Sequence, residues 1–212
     1  VRKEIQENPA ETLKAIAKIG YTEVEVQDGL YPKLAPTLND LGMKVRGYRL
    51  LPGIVTGNWD YLRAMMEKMG GASQMGMEIK EQTIEEAIEP AAKAKMKYVV
   101  ISILLPPEVG SVDNLKRTAE LFNKSAETCR KAGLTLCYHN HSGEFAPLEG
   151  TTMFDVLNKE FDPELVEWQI DVFWAAIGGQ DPAALISEYG SRIASLHLKD
   201  MAEGTQPTFD MR

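Results

Sequence analysis

A single parallel (β/α) barrel is the architecture that this sequence predicts. Three observations carry the prediction. Strand-like and helix-like segments alternate along the chain, with a period of about 25 to 40 residues, which argues for a parallel sheet. No low-complexity stretch divides the 212 residues into two units. The glycine fingerprints of doubly wound nucleotide folds, GxGxxG and GxxxxGKS/T, are absent from the sequence.

The elements follow in order. Residues 9–19 read as a helix: Asn8 is an N-cap, Pro9 suits the first helical position, Leu13, Ile16 and Ala17 form one stripe, and Gly20 ends it. Residues 22–26 read as a strand. A helix over 31–41 stops at Gly42, a strand covers 44–50, and a helix covers 60–69. Thr83-Ile84-Glu85-Glu86 resembles a capping box and opens a helix over 83–94. The strand 98–104 is stopped by Pro106-Pro107, and the long amphipathic helix 112–131 ends at Gly133. Strands over 134–139, 165–171 and 193–197 then alternate with helices over 152–159 and 182–189.

That makes six strands, with Val1-Arg2 as the tail of another. An eight-stranded barrel takes about 250 residues. The expectation is therefore one barrel domain over 1–212, with its first strand partial and its last strand absent. The native polypeptide is expected to continue past Arg212 through a further helix and strand. Residues 202–207 read as a loop that forms part of a lid. A sheet left open has two edges, and such edges invite pairing with other chains, including a second copy in a homo-oligomer.

Composition narrows the partners. With 23 Lys+Arg against 31 Asp+Glu, the formal charge is −8. That argues against nucleic acid and against an anionic membrane surface, both of which call for a basic patch. No run of about 18 apolar residues is present, so the sequence offers no membrane span. Cys129 and Cys137 make no CxxC and no zinc pattern.

Chemistry concentrates at strand ends. The chain has three histidines, His139, His141 and His197, and each falls at the C-terminal end of a predicted strand, the face on which barrels build active sites. Asp171 closes the mostly apolar strand 165–171, where a carboxylate costs free energy unless it is paired or bound to a metal. Glu144 lies five residues past His139. Imidazoles and carboxylates converging on one mouth suit a divalent metal such as Mn, Co, Zn or Mg. Other readings stay open: hydrogen-bonded rim or core histidines, Asp171 as an N-cap, and Glu144 as a solvated loop acid. If the metal reading holds, ligating atoms of Asp171 and His197 lie about 3 to 4 Å apart.

The stretch Tyr138-His139-Asn140-His141-Ser142-Gly143-Glu144-Phe145 resembles the YHNHxxEF signature of sugar phosphate isomerase/epimerase proteins, members of the xylose isomerase-like TIM barrels. Asp171-Val172-Phe173-Trp174, Gly178-Gly179-Gln180-Asp181-Pro182 and His197-Leu198-Lys199-Asp200-Met201 extend the likeness over nearly the whole chain. The resemblance implies a (β/α)8 barrel with a metal set of Glu, Asp, His and Glu. Asp171 and His197 match the middle pair. The first Glu is placed at Glu144 by residue type, with His141 the second candidate and His139 or His141 the position by strand. The last Glu falls on the strand that the chain does not contain.

The implied activity is metal-dependent isomerisation or epimerisation of a sugar or keto-sugar through an enediolate, with His139, His141 and Glu144 as catalytic candidates. Lyase or dehydratase action on keto-sugars or 3-keto-glycosides is the alternative, and a non-catalytic sugar-binding barrel is the reading from another class. His141, Trp174 and Lys199 are the substrate-binding candidates. Trp174 would stack on a sugar ring or fill the core, and Lys199 would hold a hydroxyl or phosphate or pair with Asp200.

Overall fold

The structure, a computed structural model, describes residues 2–68 and 79–201. Its centre is a six-stranded, wholly parallel sheet. In chain order the opening elements are α1 (Arg2–Glu7), α2 (Pro9–Ile19), β1 (Glu23–Gln27), α3 (Tyr31–Asp40), β2 (Lys44–Leu50), α4 (Gly53–Thr56), α5 (Trp59–Lys68), α6 (Ile84–Lys93) and β3 (Tyr98–Ile101). They are followed by α7 (Pro106–Val109), α8 (Val112–Lys131), β4 (Thr135–His139), the hairpin strands β5 (Pro147–Leu148) and β6 (Thr151–Thr152), and α9 (Met153–Glu160). The last are β7 (Val166–Asp171), α10 (Val172–Ile177), α11 (Pro182–Tyr189) and β8 (Ile193–His197). The sheet order is β1-β2-β3-β4-β7-β8, so sequential strands are neighbours apart from the hairpin, as in a barrel wall.

Helix–sheet packing explains the curl. α8 buries Leu115, Ala119, Phe122, Ala126 and Cys129, a stripe at alternating spacings of four and three that faces the outside of the sheet. Phe122 meets Tyr138 of β4 edge-on at 5.7 Å, and Tyr138 meets Trp168 of β7 in the same manner at 5.7 Å. Residues 136, 138, 166, 168 and 170 thus point outward into an apolar layer. The alternate residues, 139, 169 and 171, turn towards the lumen.

Two differences from the sequence reading concern the ends of elements. Arg2 opens a helix rather than ending a strand; Ile5 packs on the core, Lys3 and Glu7 pair at i, i+4, and Val1 lies outside the described residues. β3 stops at Ile101 instead of reaching 104. The predicted lid loop 202–207 also lies outside the described residues. Among the described residues no helix is long and apolar enough to cross a membrane.

Candidate metal centre and its surroundings

Strand register assembles the site. In the β4–β7 pairing His139 sits opposite Gln169, and in the β7–β8 pairing Asp171 sits opposite His197. Gln169 and Asp171 are two apart on one strand, so both face the lumen. β1 and β2 complete the wall, with Glu25 paired to Gly47 and Gln27 to Arg49.

His139, Asp171 and His197 converge. His139 Nε2 lies 3.6 Å from Asp171 Oδ2, and His197 Nδ1 lies 3.8 Å from the same oxygen. The second value falls in the 3 to 4 Å expected from the sequence. One ligand atom from each residue lies within 4.8 Å of the others. His139 and Asp171 are buried, at 2% and 0% exposure.

Asp171 plays two parts. Its Oδ1 accepts a hydrogen bond from the Trp174 backbone N–H at 3.1 Å and caps α10. Its Oδ2 is fully buried. Beside that oxygen is the Lys199 ammonium at 2.5 Å. The N-cap reading of Asp171 holds on Oδ1 and leaves Oδ2 facing the two histidines.

The donor set passes a chemical test for a divalent cation. A buried carboxylate needs positive charge beside it. Here two imidazole nitrogens face it, and a lysine ammonium stands where a positive charge is needed. Two nitrogens and one oxygen suit Mn, Co or Zn better than Mg, which prefers an all-oxygen shell rich in water.

Glu144 is elsewhere, which corrects the ligand expected by residue type. It sits in a 3-10 turn, Gly143–Phe145, and is 5% exposed, so it is no solvated loop acid either. One of its oxygens accepts from the Tyr138 hydroxyl at 2.9 Å and the other from the His141 backbone N–H at 2.8 Å. Burial raises its pKa above 4.5, against those hydrogen bonds. His139, at the end of β4, is the strand-position candidate that stands with Asp171 and His197.

The remaining candidates line the mouth. His141 is half-buried, with its ring 5.0 Å from that of His139 and 5.7 Å from that of Trp174. It borders a cavity of about 310 Å³ shared with Ile103, Leu104, Val109 and Met153. Burial first, and the Lys199 charge second, lower its pKa to about 4. Burial, with the Arg49 charge next, takes His139 down to about 2. Trp174 is 3% exposed, so its ring forms a wall behind His141 and Lys199 and presents almost no surface for stacking on a sugar. Lys199 pairs with Asp171.

Three residues that the sequence did not single out lie directly beneath this group. Arg49 pairs with Glu25 Oε1 at 2.7 Å. Gln169 donates to Glu25 Oε2 at 2.7 Å and contacts His139 Nδ1 through Oε1 at 2.9 Å. Burial pushes the Glu25 carboxyl up, but His197, Arg49 and Gln169 outweigh it and hold the pKa near 2.

The sequence profile described as the xylose isomerase-like TIM barrel matches residues 13–210, nearly the whole chain. The chain belongs to that family. Within it, the chain is 37% identical over 79 residues to an inosose dehydratase of Geobacillus kaustophilus, covering 37% of this chain and 25% of that protein. It is 28% identical over 142 residues to an inosose dehydratase of Clostridium perfringens, covering 67% of this chain and 42% of the relative. The matched stretches span less than half the length of these curated relatives. A solved sugar phosphate isomerase/epimerase from Parabacteroides distasonis superimposes with a TM-score of 0.74 at 24% identity, covering 98% of this chain and 76% of the other. A 3-keto-D-glucoside 4-epimerase from E. coli gives a TM-score of 0.57 at 16% identity, covering 92% of this chain and 74% of the other. Those two likenesses establish the xylose isomerase-like fold.

Proposed function

We propose that this xylose isomerase-like barrel holds a divalent cation on His139, Asp171 and His197 and processes a keto-sugar or keto-cyclitol by abstracting a proton next to the carbonyl. The observation that carries the reading is Asp171 Oδ2: fully buried, faced by one nitrogen of each of two histidines, and balanced by the Lys199 ammonium at 2.5 Å. A divalent ion held there supplies Lewis acidity to a carbonyl and an adjacent hydroxyl, which acidifies the C–H between them.

The chain's own residues account for the rest. His141, uncharged at neutral pH, opens onto the mouth and serves as the base: a ring nitrogen takes the proton, and the C–H electron pair moves into the carbonyl as an enediolate. Return of the proton to the neighbouring carbon gives isomerisation. Return to the same carbon from the other face gives epimerisation. Departure of the β-hydroxyl as water, with the proton returned to the leaving oxygen, gives dehydration. The Lys199 ammonium supplies a donor for a substrate hydroxyl. Similarity to inosose dehydratases favours the dehydration branch, with isomerisation or epimerisation as the second reading.

The test is calorimetric titration with Mn2+, Co2+ and Zn2+, followed by NMR of keto-sugars, a keto-cyclitol and 3-keto-glycosides in D2O with metal-replete protein. Stoichiometric metal binding and deuterium uptake next to a carbonyl support the reading. No metal binding, together with no exchange on any of these substrates, sinks it.

A further inference from the structure

We infer that Glu25, acting through Gln169, fixes the tautomer of His139 and so makes its Nε2 a bare acceptor pointed at Asp171. The inference rests on the cation reading of the site above and concerns residues that do not touch the cation.

The argument starts from Glu25. Its carboxylate only accepts hydrogen bonds. The Gln169 nitrogen that lies 2.7 Å from Glu25 Oε2 must therefore be the amide NH2. The same nitrogen lies 3.1 Å from the Ser195 hydroxyl. The other side of the amide is then its carbonyl oxygen, and an Arg49 nitrogen, which can only donate, lies 3.4 Å from it. Donors and acceptors on both sides thus agree on one orientation of a group that could otherwise be placed either way.

That orientation decides the histidine. The Gln169 carbonyl oxygen is 2.9 Å from His139 Nδ1, and a carbonyl oxygen can only accept. Nδ1 must carry the proton. In a neutral ring Nε2 is then a bare lone pair, and it points at Asp171 Oδ2, 3.6 Å away. Two lone pairs facing each other are repulsive alone and complementary around a cation. A histidine ligand whose other nitrogen is held by a hydrogen bond is how such rings are oriented in metal sites.

His197 is turned the same way. Its Nε2 is the nitrogen towards Glu25 Oε1, at 3.6 Å, and its Nδ1 is the one towards Asp171. One carboxylate on β1 thus acts on histidines of β4 and β8. The fold makes room for it. A Cβ on Gly47 would come within 2.7 Å of Glu25 Oε2 and 2.8 Å of its Cγ, so only glycine at this position leaves space for Glu25 to lie across the lumen.

The experiment is long-range 15N–1H NMR of histidine-labelled, metal-free protein, paired with Mn2+ titration. In the wild type, His139 is expected to show a protonated Nδ1 and an unprotonated Nε2. Gln169→Leu and Glu25→Gln remove the constraint; a shift of His139 towards the Nε2-protonated form, with Mn2+ affinity about 10–100-fold weaker, is the expected result. The exchanged pair, Glu25→Gln with Gln169→Glu, restores both, because a glutamine at 25 donates to a carboxylate at 169 that still accepts from Nδ1. A purely structural role for Gln169 would not move the tautomer and would not be rescued by the exchange. A wild-type His139 protonated on Nε2, or an unchanged tautomer in both single variants, overturns the inference. The expected tautomers in a protein that binds no Mn2+ support it and count against the cation reading instead.

Discussion

Lys199 Nζ lies 2.5 Å from Asp171 Oδ2, so the chain brings its own positive charge to the oxygen that faces the two histidines. Lys199 follows β8 by two residues and is 24% exposed at its side chain, whereas Asp171 is completely buried. A buried carboxylate stripped of its partner is expensive. Lys199→Met is expected to cost about 2–4 kcal/mol in metal-free protein, a melting point lower by roughly 5–12 °C. It also removes a like charge from the cation site, so Mn2+ affinity is expected to rise by about tenfold or more. Melting curves in EDTA and in Mn2+ check both. A variant that melts with the wild type in EDTA would show that the ion pair contributes nothing.

Asp171→Asn separates the two parts of this residue. Asparagine caps a helix as well as aspartate, so the bond to the Trp174 N–H persists and α10 keeps its start. The second oxygen is replaced by an amide NH2, which donates and cannot ligate a cation. The expected outcome is a folded protein, with the parallel-sheet circular dichroism of the wild type, that no longer binds Mn2+. Retained metal content would refute the assignment of Oδ2.

The alternation of strands and helices was legible because β3 and β4 are short, largely apolar runs and because Gly20, Gly42, Gly133 and Gly190 follow helices. The boundaries of α2, α8, α11, β2 and β8 are the ones read from the sequence. What stayed hidden has physical reasons. α4, α7 and α10 are one to two turns long, too short to show a 3.6-residue period. His139, Asp171 and His197 could be read because strand ends are where a barrel does chemistry. Glu144 was singled out by residue type, and nothing in the sequence signalled that Tyr138 and the His141 backbone N–H take up its two oxygens. Glu25, Arg49 and Gln169 were missed because a charged residue alternating with Val24 and Val26 looks like a solvent-facing position. In a barrel that alternate face is the lumen, and the pairing of residues 25 and 169 spans 144 positions of sequence.

Glu144 gives the pH prediction. Its carboxyl is buried and its native pKa stands above the ordinary 4.5. The folded state therefore holds the proton to higher pH than the unfolded state does. Stability falls as pH rises from the unfolded value through the native one, and the penalty is complete above that. Glu144→Gln carries no charge and can still accept from the His141 N–H and meet the Tyr138 hydroxyl. The gap between the variant and the wild type is expected to move in favour of the variant as pH rises from 4.5 and then to level off. Melting temperatures measured across pH test this; parallel curves at all pH values would mean that Glu144 does not titrate in the folded protein.

Gly178 ties the end of α10 to the turn that carries Glu144. Its φ is −75°, so the backbone accepts any residue, and the constraint is space alone. A Cβ there would lie 2.7 Å from Phe145 Cδ2, 3.1 Å from Phe145 Cβ and 3.1 Å from the Ser142 carbonyl oxygen. None of these can retreat cheaply. Phe145 is 7% exposed and stacks on Phe154 at 5.1 Å, and Ser142 O accepts the Phe145 N–H that closes the 3-10 turn. Gly178→Ala is therefore expected to cost about 1–3 kcal/mol, as overpacking does. The displaced turn takes Glu144 with it, and Glu144 holds the His141 backbone N–H at 2.8 Å. The ring signals of His141 should move in the NMR spectrum, while those of His197, on the far side of Asp171 and held by Glu25, stay where they are. A thermal melt and one histidine-labelled spectrum decide it, and a Gly178→Ala protein as stable as the wild type would remove the turn from any part in setting the mouth.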